Sequence, residues 1–228
     1  MPSCKCFICF NFALLTGYSM HTTILRELDS IEQTLGRIGP AVSIFGSARI
    51  APGSAVYALA YDIAERLSNL GYTVISGGGP GIMRAANEGA SAGASQSIGF
   101  NIALPFETLD ATYQDISLVF DNFITRKLAF AKCSHAFVVM PGGMGTLDEL
   151  FEMLTLIQTR KMAKVPVILV GSQFWNGLLE WMRENLESSG LINPGELGDI
   201  ELLDHADAVC ASIGSRIPLI APENARAA

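Results

Sequence analysis

Hydrophobic residues recur along the chain with two alternating periods. Ile24, Leu28 and Ile31 lie at helical spacing and predict a first helix over 21–36. Short apolar runs, such as 41–45, predict strands that are buried on both faces. Further strands are predicted at 72–76, 97–104, 117–120, 136–140, 165–170 and 200–203, and further helices at 54–69, 82–92, 122–133, 146–159, 174–188 and 205–213. Because strands alternate with helices, we expect an α/β fold with a doubly wound parallel sheet.

The two ends of the chain differ from this central pattern. We expect one domain over 20–216, preceded by a disordered N-terminal extension, 1–19, and followed by a loose tail, 217–228. An apolar run at 7–15 weakly resembles a signal peptide but lacks a clear cleavage site. The extension also contains a C-x-C-x-x-C spacing at 4–9, with no fourth ligand at the usual zinc spacing, so we expect no metal.

Composition limits the possible partners. The net charge of −7 argues against a nucleic-acid partner, because polyanions require a positive surface. Half of the residues are hydrophobic and the mean hydropathy is +0.35, which predicts a generous core. No apolar stretch is long enough to cross a bilayer, so we expect no membrane partner and a cytoplasmic location.

Three predicted strands end in glycine-rich turns, at 46–49, 77–81 and 142–145. Ligands of open α/β sheets bind outside the carboxyl ends of the strands, so the three turns could line one cleft. No Gly-Lys pair of a Walker A loop occurs, and Ile82 or Arg84 fills the third glycine position of a dinucleotide fingerprint. Glycine turns before helices favour a nucleotide or sugar-phosphate site of another kind.

Glu149 permits two interpretations. If the helix begins at Thr146, then Thr146 and Glu149 form the T-x-x-E pattern of a capping box, and the carboxylate only satisfies its own helix end. A carboxylate beside a bound ribose could instead stabilise an oxocarbenium-like centre or position water. Residue type and spacing leave both open.

Arg126 and Lys127 lie near the start of an otherwise apolar helix. Cations at a helix N-terminus oppose the helix dipole, so a local reason is needed. Solvent exposure is one explanation, and a bound anion or an electron-rich base is the other.

The sequences Gly-Gly-Gly-Pro-Gly-Ile-Met at 77–83, Arg126-Lys127, and Pro-Gly-Gly-Met-Gly-Thr-Leu-Asp-Glu at 141–149 resemble the LONELY GUY (LOG) family of cytokinin riboside 5′-monophosphate phosphoribohydrolases. The resemblance covers about residues 40–213. It implies a Rossmann-like fold and hydrolysis of the N-glycosidic bond of a nucleoside 5′-monophosphate. The products would be an adenine-type base and ribose 5-phosphate.

The same resemblance implies roles for individual residues. Arg126 and Glu149 would form the catalytic pair. The substrate-binding positions would be Ser47, Gly78, Gly79, Glu107, Lys127, Gly142, Gly143, Met144, Gly145, Thr146 and Thr155. Arg84 departs from the family pattern, in which a glutamate is expected. Family members form homodimers or larger homo-oligomers, with the helix after the Pro-Gly-Gly loop near the interface.

Two alternatives remain beside the hydrolase. A non-catalytic nucleotide-binding or sensing module of the same fold would bind AMP without releasing the base. A pyridoxal-phosphate-dependent decarboxylase, an older label of this family, would be a yellow protein with a reducible Schiff base. No lysine has surroundings that support the second alternative, so we expect no cofactor.

Overall fold

A seven-stranded sheet runs through the computed structural model, which describes residues 20–105 and 108–219. Its strands are β1 Ala41–Phe45, β2 Thr73–Ser76, β3 Ser97–Ile102, β4 Ile116–Phe120, β5 Ala136–Val139, β6 Val167–Val170 and β7 Ile200–Leu203. The helices are α1 Met20–Leu35, α2 Ala55–Asn69, α3 Ile82–Ala92, α4 Phe123–Cys133, α5 Met144–Gln158, α6 Ser172–Met182 and α7 Ala206–Arg216. All strand pairs are parallel, which confirms the predicted α/β class.

The order of the strands in the sheet is β4-β3-β2-β1-β5-β6-β7. The chain therefore builds outward from β1 to one edge and then returns to the other side of β1. The switch lies between β1 and β5, where Ile44 is in register with Val138. In doubly wound sheets the ligand cleft opens at the carboxyl ends of the strands at this switch point.

Side chains of β1 alternate between two cores, one on each face of the sheet. Val42 and Ile44 belong to the core under α2, α3 and α7. Ala41 and Phe45 belong to the core under α1, α4, α5 and α6. Phe45 packs there edge-on against Phe130 of α4, with ring centroids 5.0 Å apart. Covering both faces explains why the strands read as continuous apolar runs.

Several element boundaries differ from the expected ones. α5 begins at Met144, two residues before the predicted start, with Gly143 as its N-cap. Thr146 is therefore the third residue of the helix, and the capping-box interpretation is wrong. α6 ends at Met182 and continues as a π-helical turn, 183–187, so the last third of the predicted helix is not α-helical.

Both terminal segments, the predicted extension 1–19 and the predicted tail 217–228, lie largely beyond the described residues. Ile217, the first residue of the expected tail, is buried, and its carbonyl accepts a hydrogen bond of 2.6 Å from the Tyr72 hydroxyl. Residues 1–19 and 220–228 lie outside the described residues. Within 20–105 and 108–219, every helix is too short or too polar to cross a bilayer.

Candidate active site

A cleft of about 900 Å³ opens at the carboxyl ends of β1, β2, β3 and β5. The turns after β1, β2 and β5 all contribute to its lining, as the three glycine-rich sequences predict. Its polar lining residues are Ser47, Arg49, Arg84, Asn87, Asn101, Thr108, Asp110, Tyr113, Gln114, Arg126, Thr146 and Glu149. One cavity therefore collects the glycine turns, arginines and a buried carboxylate at the topological switch point.

The N-terminus of α5 forms one wall of this cleft. The first intrahelical bond at this end runs from the Leu147 N–H to the Gly143 carbonyl, so the N–H groups of residues 144–146 have no partner within the helix. The positive end of the helix dipole adds to these donors. This wall is suited to an anion such as a phosphate.

Gly142 allows the turn after β5 to pack tightly on the helix that follows. A Cβ atom at Gly142 would lie 2.1 Å from Oγ1 of Thr146, whose side chain is buried. Only glycine leaves room for Thr146 at this point. The turn after β5 is also joined to the turn after β1, because the Ser47 N–H donates to the Pro141 carbonyl at 3.1 Å.

Arg126 is buried beneath the cleft and is held by main-chain carbonyls. Its Nε donates to the Phe100 carbonyl at 2.7 Å, and its Nη2 donates to the Gly77 carbonyl at 3.1 Å. A Cβ at Gly77 would lie 2.3 Å from Nη2, so the glycine is required for this contact. The guanidinium joins the ends of β2 and β3 and is fixed before any ligand arrives.

Glu149 lies opposite Arg126, with Oε1 3.9 Å from Nη1. Its side chain is 16% exposed, and it forms no side-chain hydrogen bond with the described residues. Burial raises the pKa of Glu149 to about 7, although the charge of Arg126 acts in the opposite direction. A buried carboxyl group with a pKa near neutrality, facing a cleft, is typical of acid–base chemistry.

The start of α4, the helix that carries Arg126, contacts a buried carboxylate that the sequence analysis missed. Glu27 of α1 is 2% exposed and accepts hydrogen bonds from the Asp121 N–H at 2.6 Å and from Asn122 Nδ2 at 3.1 Å. It also accepts one from the Thr125 hydroxyl. Glu27 therefore joins α1 to the residues at the start of α4, and its negative charge near this helix N-terminus is favourable for the helix dipole that Arg126 and Lys127 oppose. A carboxylate on the buried face of the first helix was the available signal.

Most of the predicted site residues meet in this cleft. The cavity is lined by Ser47, Gly78, Gly79, Arg126, Gly143, Met144, Gly145, Thr146 and Glu149. Gly142 lies directly behind them, against Thr146. Glu107 lies outside the described residues.

Two predicted contacts lie elsewhere. Thr155 is nine residues beyond Thr146 on the same helix, roughly 13 Å further along its axis. Its hydroxyl donates to the Phe151 carbonyl at 2.7 Å, and it lines a different, largely apolar groove. Lys127 points away from the cleft and forms ion pairs with Asp148 and Glu152.

The opposite wall contains Asn101, which sequence reasoning missed, and Arg84, which was noted only as a departure from the family pattern. Asn101 is buried at the end of β3, and its amide donates to Gln114 at 3.0 Å and to Ser117 at 2.9 Å. Arg84 pairs with Asp110 at 3.3 Å and lies over the Tyr113 ring, 5.5 Å from its centroid. A polar residue inside an apolar strand could have revealed Asn101. The partners of Arg84 are more than twenty residues away, so no local pattern indicates them.

Metal ligands are not grouped in the part of the chain that the structure describes. Among those residues, no three His, Cys, Asp or Glu side chains lie close enough to hold an ion together. Both described cysteines, Cys133 and Cys210, are buried free thiols whose pKa burial raises, to about 12 and about 11.

The fold and cleft together define a Rossmann-like α/β protein with a helix N-terminus that opens into a cleft at the switch point. The family model described as "Possible lysine decarboxylase" matches residues 83–213, more than half of the chain. The chain belongs to this family, and the resemblance to LOG proteins is confirmed by the curated relatives.

The curated relatives are named as phosphoribohydrolases, and a plant and a bacterial protein illustrate the similarity. Cytokinin riboside 5′-monophosphate phosphoribohydrolase LOG3 of Arabidopsis thaliana is 31% identical over 138 residues, which are 59% of this chain and 63% of that protein. The chain thus spans less than two thirds of that plant relative. Cytokinin riboside 5′-monophosphate phosphoribohydrolase of Mycobacterium tuberculosis is 29% identical over 150 residues, 64% of this chain and 79% of the relative.

Solved structures with the same fold include two proteins that are named for the molybdenum cofactor. The molybdenum cofactor carrier protein of Chlamydomonas reinhardtii matches with a TM-score of 0.57 at 20% identity, over 78% of this chain and 97% of that chain. The molybdenum cofactor binding protein of Rippkaea orientalis matches with a TM-score of 0.58 at 20% identity, over 78% and 98%. At this identity the likeness concerns the fold alone.

Proposed function

We propose that this protein hydrolyses the N-glycosidic bond of nucleoside 5′-monophosphates and releases an adenine-type base and ribose 5-phosphate. The observation that carries the proposal is the position of Glu149: a buried carboxyl group that faces Arg126 below a helix end suited to phosphate. The names of the plant and mycobacterial relatives support the same reaction class.

Substrate binding would begin at the N-terminus of α5. The free N–H groups of residues 144–146 receive the 5′-phosphate, and the tight packing of Thr146 on Gly142 keeps them in place. Glu149 lies one helical turn beyond, so a phosphate held there brings the ribose toward its carboxylate. Binding energy from the phosphate, which does not react, is then used to orient the reacting carbon.

The bond between C1′ and the base nitrogen breaks with positive charge developing on the ribose. Ionised Glu149 stabilises that charge and orients a water molecule, whose oxygen bonds to C1′. The base leaves with the electron pair of the broken bond and takes up a proton, so the net reaction consumes one water. Arg126, fixed by two carbonyls, contacts the substrate and restrains the carboxylate. A two-carboxylate glycosidase scheme does not transfer directly, because the other carboxylate of the described cleft lining, Asp110, pairs with Arg84 on the opposite wall.

Incubation with AMP and isopentenyl-AMP, followed by chromatographic measurement of the free base, tests this function. We expect Glu149→Gln to abolish base release while the fold, monitored by circular dichroism, is retained. Arg126→Lys should also lose most of the activity, because a lysine cannot form both carbonyl contacts. Glu180→Gln, on the exposed surface of α6, is the matched control and should behave as the wild type.

Full activity in Glu149→Gln would contradict the assigned roles. AMP binding without base release in the wild type would instead support the nucleotide-binding module. A yellow protein whose absorbance changes on borohydride reduction would support the decarboxylase. We also propose a homo-oligomer, at least a dimer, which light scattering coupled to size exclusion measures directly.

A further inference from the structure

Lys127 follows Arg126 on α4, but its side chain reaches α5 outside the cleft. Its Nζ lies 3.3 Å from an Asp148 carboxylate oxygen and 3.0 Å from Oε2 of Glu152. Asp148 and Glu152 are four residues apart and therefore share one face of α5. Glu149 lies between them in sequence, turned toward the cleft. Lys127 and the two carboxylates form what we call the Lys127 bridge.

The bridge is the second of two contacts that join α4 to α5 around the candidate carboxylate. On the cleft side, Arg126 lies 3.9 Å from Glu149. On the outer side, the Lys127 side chain is only 22% exposed, so its two ion pairs are less screened by solvent than pairs in open water. Consecutive residues of α4 thus hold opposite sides of one turn of α5.

We propose that Lys127 is a positioning residue that acts through the Lys127 bridge and does not contact the substrate. The inference rests on the proposed function and deepens it. By joining Asp148 and Glu152, Lys127 fixes the separation of α4 and α5 and thereby the placement of Glu149 opposite Arg126. It also balances charge, because three carboxylates occupy less than two turns of α5.

The charged groups that face Glu149 come from these two helices. Arg126 and Lys127 on α4 lower its pKa, and Asp148 and Glu152 on α5 raise it, after burial as the largest cause of the shift to about 7. Removal of the Lys127 charge leaves both neighbouring carboxylates without compensation. Less of Glu149 would then be ionised at neutral pH. If Lys127 instead bound the phosphate, its replacement would weaken substrate binding and would not act through the pKa of Glu149.

The experiment compares Lys127→Met, Lys127→Arg and the triple variant Lys127→Met/Asp148→Asn/Glu152→Gln in the full chain. In Lys127→Met, the midpoint of the acidic limb of kcat against pH should rise by about half a unit or more. The kcat at pH 7 should fall roughly twofold or more, with KM for AMP changed by less than about twofold. Lys127→Arg should restore the wild-type profile, and the triple variant should shift the midpoint back. Lys132→Met, an exposed lysine on the same helix, is the matched control.

A rise of KM by about tenfold in Lys127→Met, with an unchanged midpoint and no rescue by the triple variant, would overturn the proposal in favour of a substrate contact. A second readout does not depend on activity. Carbon-13 NMR of glutamate-labelled protein, with the signal assigned from Glu149→Gln, measures the pKa of Glu149 directly. An equal pKa in wild type and Lys127→Met would refute the bridge even if the protein is no hydrolase. A raised pKa without any base release would support the bridge and reject the proposed function.

Discussion

Glu27 offers the sharpest test of how this fold holds its candidate site. Replacement by alanine removes the acceptor of three donors at the start of α4: the Asp121 N–H, the Asn122 amide and the Thr125 hydroxyl. Because the site is buried, water cannot readily replace the carboxylate, and the donors lose their partner. The change also removes the negative charge at the helix N-terminus.

The expected cost follows from these contacts. A hydrogen bond to a charged group contributes about 1.5–3 kcal/mol, and a negative charge near a helix N-terminus about 0.3–1 kcal/mol. The donors share one carboxylate and are not additive, so we expect Glu27→Ala to lower the free energy of unfolding by about 3–5 kcal/mol. Glu27→Gln keeps an acceptor oxygen and loses the charge, so it should cost about 1–2 kcal/mol.

Urea unfolding, followed by tryptophan fluorescence and circular dichroism, measures both values. At a slope of about 3 kcal/mol/M, Glu27→Ala should move the midpoint by about 1 M or more, with the slope unchanged. Glu32→Ala is the matched control, because Glu32 is an exposed glutamate on the same helix. If Glu27→Ala and Glu32→Ala lower the free energy of unfolding equally, the stabilising role of Glu27 at the start of α4 is wrong.

Three further outcomes follow from single positions. Burial raises the pKa of Glu149 from 4.5 to about 7, so the folded state holds this proton more tightly and loses stability as pH rises through 7. The free energy of unfolding of Glu149→Gln should therefore exceed that of the wild type by roughly 3 kcal/mol at pH 8, with little difference at pH 4. Urea titration at the two pH values measures both differences. Gly142→Ala should lower stability and weaken AMP binding in calorimetry, since its Cβ would lie 2.1 Å from Oγ1 of Thr146. Gly177→Ala, within α6 and with nothing near its Cβ, should raise the unfolding free energy by about 0.5–1 kcal/mol; a loss in its melting temperature would contradict this.

Some elements could be located from sequence almost to the residue. The strand predicted at 41–45 matches β1. A short apolar run bounded by Pro40 and Gly46 is too short for a buried helix, and it therefore predicts a buried strand. The start of α5 was misplaced for the opposite reason. Local rules assign Gly143 and Gly145 to a turn, whereas the structure begins the helix at Met144. This difference decides how Glu149 is interpreted. Glu149 lies in the second turn of the helix, so it does not serve as part of a capping box and is available as a candidate catalytic group.

Some residues of the candidate site could be found from sequence and others could not. Its glycine turns, Arg126 and Glu149 were found because their sequences are distinctive. Glu27 and Asn101 were not, because their partners lie on other elements: Glu27 meets residues that follow it by more than ninety positions. Lys127 was placed at the substrate by resemblance, while the structure shows it in ion pairs on the outer side of α5.

The sequence by itself determined the α/β class, the order of the elements and the three turns from which the cleft is made, since hydrophobic period and turn chemistry are local properties. Only the tertiary structure decided the strand order, the switch point between β1 and β5, and the side of α5 from which each neighbour approaches Glu149. Those features depend on how helices pack over a twisted sheet. The protonation of Glu149 depends on the same packing, because its pKa reflects burial and charges contributed by a different helix.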